Sequence, residues 1–363
     1  MKIDVLKTVI LNNKKYRMEM DIFNIKKHNI TLDCVKGLAC FFIVWMHTNS
    51  GGVVNSVIVC MARFGIPIFF MVSGYFTYKE KNVDYTKVLA KKIIHILKLI
   101  VIATLVYIIW QWVVDPLIKN GHIPNLLNSI EKSVHNFNIF NTLVLNINPF
   151  CGILWFLNAL LYCYLIWLII AKVKDKRVIY ILAIAILFIG IFARALIQYN
   201  NTIPEEVNIN YFRNWFFMGL PFFTIGYLIH NYQERIVKIF KPKYMIVAAI
   251  IGMIMSFAER LVVPLEVFVG TVIVSVALFI FAVEKPDLIK IPIINRVGER
   301  FCFFIYIAHI IVRDIVLAIF DKVGMDNKVV LWIMPIIVFA LCYILAMCYY
   351  TISDKIRTVL KNN

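Results

Sequence analysis

Ten stretches of this chain are each about twenty residues long and almost wholly apolar: 31–50, 57–78, 93–114, 151–171, 178–197, 211–230, 244–263, 265–284, 301–320 and 329–351. A hydrocarbon layer roughly 30 Å thick is crossed by about 20 helical residues. Inside it every backbone N–H and C=O must be satisfied within the structure itself, which favours helices. The expected fold is therefore all-α, an integral membrane bundle of about ten transmembrane helices. Composition agrees, with 61% hydrophobic and only 16% charged residues, which excludes an ordinary soluble domain.

Lysine and arginine orient the bundle. With a cytoplasmic N-terminus, the segments on the inside carry 27 of the 38 basic residues, the outside loops carry 4, and seven lie within spans. Positive charge accumulates on the cytoplasmic side of membrane proteins, so both termini are expected there. The net charge of +17 is mostly this bias. It suits an anionic leaflet and implies no nucleic acid. The plan is a cytoplasmic leader (1–30), a transmembrane domain (31–351) and a cytoplasmic tail (352–363). The leader is polar and cationic without an apolar core, so the first helix is expected to act as an uncleaved anchor. Its Ile3, Val5, Leu6, Val9, Ile10 and Leu11 can lie on the membrane surface.

Other motifs narrow the choices. The eight cysteines have no C-x-x-C or metal-ligand spacing and read as packing residues. No phosphate-binding glycine loop or H-E-x-x-H helix is present, and no metal is expected. No internal repeat indicates an inverted-repeat transporter. Residues 115–150 are expected to pack on the outer mouth, Pro264 to turn a tight hairpin, and Pro221 to kink the sixth helix.

The first apolar segment carries an acid, a base and a histidine. Ionisable groups in a membrane helix are costly and tend to face a protein interior or a water-filled cavity. At about 100° per residue, Asp33, Lys36, Cys40, Ile43 and His47 share one stripe. Lys36 and His47 lie ~16 Å apart along it, at about 1.5 Å per residue. Depth places Asp33 and Lys36 near the cytoplasm and His47 in the outer half, together with Arg63, Arg213, Glu259 and, nearer mid-depth, His309. The inner region can hold a phosphate-bearing donor and the outer one a polar acceptor. A histidine between them can serve as general base or acyl carrier. Ser73 and Gly74, at the inner end of the second span, permit either close backbone approach to a ligand or helix packing. Trp155 reads as an interfacial anchor rather than a site wall.

These residues resemble a known family. The segments are D-x-x-K-G-L-A ending in His47, R-F-G-I-P-I-F-F-M-V-S-G-Y-F at 63–76, L-W-F-L at 154–157, R-N-W-F-F-M-G-L-P-F-F at 213–223 and F-I-Y-I-A-H at 304–309. Together they resemble the acyltransferase-three family of integral membrane acyltransferases. That family typically shows an arginine, ten residues, then a histidine on its first helix. Here the interval is kept and the basic residue is Lys36, a point charge rather than a bidentate fork. The pattern is also similar to the membrane part of bacterial serine racemases from glycopeptide resistance. No fused racemase domain is expected after residue 363.

The resemblance implies a multi-pass enzyme of a bacterial plasma membrane. It would move an acyl group, usually acetyl from acetyl-CoA, from the cytoplasmic side to a hydroxyl of an envelope glycan or similar acceptor outside. It implies His47 as the catalytic histidine and Lys36, beside Asp33, at the donor. Arg63, Ser73, Gly74, Glu259, His309 and Arg213 are expected to bind substrate. Oligomers are possible. A transporter for a small polar solute such as an amino acid is the main alternative, and a structural subunit of an export complex the weaker one.

Overall fold

The computed structural model describes residues 28–48, 52–79, 84–121, 127–128, 131, 138–148, 150–200, 203–324 and 328–362. The membrane-surface expectation for the leader falls on residues outside this set. So do 14 of the 36 residues in the 115–150 outer-mouth expectation. Among the described residues all regular structure is helical.

Among the described residues eight helical stretches are long and apolar enough to cross a membrane, and two of the ten expected spans form shorter helices. The chain begins with α1 (Ile30–Thr48), α2 (Val53–Ala62) and α3 (Gly65–Tyr75). Next come α4 (Tyr85–Ile109), one turn of π-helix (Trp110–Val114), α5 (Asp115–Asn120) and the short α6 (Ile139–Leu143). Then follow α7 (Trp155–Ile170), α8 (Arg177–Tyr199), α9 (Glu205–Phe212), a second π-turn (Trp215–Gly219), α10 (Leu220–Asn231) and α11 (Gln233–Ile239). The hairpin α12 (Pro242–Val262) and α13 (Val269–Glu284) precedes α14 (Pro292–Arg296), a third π-turn (Val297–Phe301), α15 (Cys302–Lys322) and α16 (Lys328–Asn362).

Local chemistry explains where the elements depart from simple rods. The second expected span is divided into α2 and α3 at Arg63–Phe64. A proline lacks an N–H and its ring crowds the carbonyl four residues earlier; for Pro67 that carbonyl belongs to Arg63. In the sixth span the irregularity is the π-turn before Pro221, which lies in the first turn of α10. α4 starts eight residues before the expected 93, where the Asp84 carboxylate accepts the N–H groups of Thr86 and Lys87. The expected tail continues as helix, so α16 runs to Asn362.

α1 is the axis of the bundle, packed by α2, α3, α13, α14, α15 and α16. Its first turn is pinned from several directions. Asn29 caps the Leu32 N–H and donates to the Ala282 carbonyl. Thr31 Oγ1 accepts from Leu288 and Ile289. Asn295 donates to the Ile30 carbonyl. Two other helix pairs meet backbone to backbone. A Cβ at Gly74 would lie 1.8 Å from the Phe223 carbonyl oxygen, and one at Gly226 would lie 2.0 Å from that of Met71, so α3 and α10 tolerate only glycine there. Gly252 and Gly270 do the same for α12 and α13.

Candidate active site

The stripe on α1 is divided between two environments. At its N-terminal end Lys36 Nζ lies 2.7 Å from Asp33 Oδ1, while His28 Nε2 lies 2.6 Å from Asp33 Oδ2. Asp33 is buried, and Gly298 lets the third π-turn press against its backbone. The Lys36 ammonium is thus matched by a carboxylate one helical turn away.

Further along the same face a cavity of about 210 Å³ opens between α1, α3, α4, α7 and α15. Cys40, Ile43, Val44 and His47 line it from α1, Ser73 and Val72 from α3, and Phe156 and Leu160 from α7. The walls are mainly aliphatic and aromatic. Their polar atoms are largely engaged: Ser73 Oγ donates to the Phe69 carbonyl at 2.9 Å, and the Tyr306 hydroxyl donates to the Ile153 carbonyl.

His47 and His309 also line the cavity, their ring centroids 5.3 Å apart. His309 is fully buried on α15, with Nδ1 3.1 Å from the Ile305 carbonyl. A carbonyl oxygen only accepts, so Nδ1 carries the proton and Nε2 keeps its lone pair. That Nε2 has no protein partner among the described residues. Arg313, one turn beyond His309, donates from Nη1 to the His47 carbonyl at 3.0 Å and pairs with Asp314 at 2.7 Å. The Arg213 guanidinium covers the Trp155 ring at 5.4 Å. Arg63, Arg213 and Arg313 all lie within electrostatic range of His47. The α2–α3 break puts Arg63 there, and the gap between α9 and the second π-turn puts Arg213 there, where Asn214 caps the N–H groups of Phe216 and Phe217.

Two histidines, three arginines and one apolar cavity can support acyl transfer. The lone pair of an imidazole can take a hydroxyl proton, and fixed cations can steady the negative oxygen that forms on a carbonyl.

Not every expected site residue joins this group. Glu259, expected to bind substrate, instead caps α13, accepting the N–H groups of Val269 at 2.8 Å and Gly270 at 3.1 Å. The six residues between α12 and α13 leave those N–H groups at an open helix start, and the carboxylate satisfies them. Gly74 is filled by the α10 backbone, so it packs helices rather than presenting its amide to a ligand. Ser73 remains in the cavity wall. Sequence reasoning missed Trp155 as a wall residue. It is buried and lies under Arg213, and the short 3₁₀ turn Gly152–Leu154 sets its position. An aromatic near a helix start reads alike whether it faces lipid or protein, so only the packing distinguishes them.

The family model described as an acyltransferase domain, that of the acyltransferase-three family, matches residues 29–351. No curated protein and no solved structure matches the chain. The matched range starts just before α1 and contains both histidines, the three arginines and every helix lining the cavity, and on it this chain belongs to the acyltransferase-three family.

Proposed function

We propose that this membrane acyltransferase takes an acyl group, in the first instance acetyl, from a coenzyme A thioester on the cytoplasmic side. It delivers the group to a hydroxyl of an envelope glycan or similar acceptor at the outer side of a bacterial plasma membrane. Both termini are then cytoplasmic, in keeping with the distribution of lysine and arginine. The observation that carries the reading is the His47–His309 pair at a cavity beside Arg63, Arg213 and Arg313.

His47 accepts the proton of the acceptor hydroxyl as the oxygen attacks the thioester carbonyl. The new C–O bond forms, the C–S bond breaks, and the coenzyme A thiolate leaves and takes up a proton. His309, its tautomer fixed by the Ile305 carbonyl, offers a second lone pair at the same place. The arginines stabilise the oxyanion and orient the acceptor, a contribution worth about 10²–10³ in rate for a single well-placed donor. The apolar cavity keeps water from the thioester. Asp33 and Lys36 position the inner end of α1 beneath the donor's path.

The test is transfer of radiolabelled acetyl from acetyl-CoA into the envelope fraction of membranes containing the protein. Wild type should label the fraction, and His47→Ala and His309→Ala, inserted at normal levels, should not. Solute uptake into proteoliposomes without any acyl donor, with no labelling, would overturn the proposal in favour of a transporter.

A further inference from the structure

A second cavity, larger than the first, lies at the inner ends of α3 and α10, on the side to which the basic loops belong. Its volume is about 930 Å³, at the upper end of the range for small-molecule sites. One wall is aromatic. The Tyr75 and His230 rings stack at 4.2 Å, Tyr78 lies 4.7 Å from His230 on centroids, and His230 Nδ1 is 2.7 Å from the Tyr75 carbonyl. The Tyr75 hydroxyl is steered by Gln233, at 2.7 Å. The other wall carries Arg235 and Lys238 against one acid, Glu234. Asn231 and Tyr232 are shared with an adjoining cavity lined by Lys174, Lys176 and Arg177 against one acid, Asp175. Aromatic faces beside a cluster of cations form a surface for a base bearing phosphates.

The position matters as much as the chemistry. Tyr75 is two residues beyond Ser73, which lines the cavity under the histidines. Leu32, on the groove wall, precedes His47 by fifteen residues on the same helix, or ~22 Å at about 1.5 Å per residue. A ligand seated in the groove needs an extended arm of that order to bring a thioester to His47. Lys36, by contrast, is held by Asp33 and does not line the groove.

We propose that this groove binds the phosphorylated adenosine head of the acyl donor, with Tyr78 and His230 against the base and Arg235 and Lys238 on the phosphates. The donor head is therefore recognised at the α10–α11 corner rather than by Lys36. This inference rests on the coenzyme A donor of the proposed function.

Binding to the purified full-length protein in detergent is measured by thermal stabilisation, with coenzyme A, adenosine 3′,5′-bisphosphate and pantetheine as probes. A ligand that binds only the folded state raises the midpoint by mass action. Coenzyme A and the bisphosphate should stabilise wild type, and pantetheine should not. The double variant Arg235→Glu/Lys238→Glu should weaken coenzyme A binding by at least 30-fold, and Tyr78→Ala by about tenfold. Lys355→Glu/Arg357→Glu, an equal loss of positive charge on the exposed end of α16, should change it less than threefold. Coenzyme A binding that survives the double variant within twofold, or that is matched by pantetheine alone, would overturn the groove while leaving the donor reading intact. If coenzyme A does not stabilise wild type at all, the donor reading itself falls, and this inference with it.

Discussion

The two ends of α1 use similar residues to opposite effect. At the N-terminal end Asp33 lies within 2.7 Å of both Lys36 Nζ and His28 Nε2, and neighbouring loops bond the first helical turn from several sides. At the C-terminal end two imidazoles face one cavity, His309 keeps a nitrogen without a protein partner among the described residues, and Arg63, Arg213 and Arg313 lie within electrostatic range of His47. Satisfied polar groups hold a structure in place, whereas a polar group left open in an apolar setting has a cost that a ligand can relieve. A basic residue and a histidine on one stripe are therefore not equivalent functional candidates.

The largest effect expected from this contrast is at the histidines. His47→Ala and His309→Ala should each lower acyl transfer by about 10²–10⁴-fold, the usual contribution of a positioned general base, with little change in thermal midpoint. Equal losses of activity and of folded protein would erase the distinction between the two ends. Next comes Asp33→Ala. Removing one partner of a buried ion pair costs about 3–5 kcal/mol, so this variant should insert poorly or melt early, and Lys36→Ala should affect it less because the lysine is more exposed. Thermal melts in detergent distinguish this from a catalytic loss.

A smaller effect is expected at Gly74→Ala, where overpacking against the Phe223 backbone should destabilise by about 1–3 kcal/mol. A stable Gly74→Ala protein with lost activity would return Gly74 to the ligand. The smallest is Glu259→Gln. Weakening the α13 cap should cost about 0.5–2 kcal/mol, with turnover per folded molecule unchanged. A selective rise in KM would instead make Glu259 a substrate residue.

Much of this organisation is legible in the sequence because a bilayer allows few solutions. Segment length and hydropathy identify the helices, and Pro221 marks where one of them becomes irregular, whereas the break at Arg63–Phe64 was not expected. The likeness of 63–76 and 213–223 to family motifs matches the places where the backbone breaks and brings Arg63 and Arg213 near His47. Glu259 and Gly74 were misleading for a shared reason. An acid at a helix end and a glycine within a helix each have a local structural use and a ligand-facing use, and both uses look alike in one dimension.

The amino-acid order by itself determined an all-helical membrane protein, the stripe on its first helix and its resemblance to a family, since these follow from apolar length, helical period and motif spacing. Only the tertiary structure decided which polar groups are satisfied. It set Lys36 against Asp33, turned Glu259 to the α13 amides, drew His309 from α15 to within 5.3 Å of His47, and brought Tyr75, Tyr78 and His230 together around one groove. Those outcomes depend on contacts between residues up to about 260 positions apart, and helical periodicity specifies a face without specifying what that face will meet.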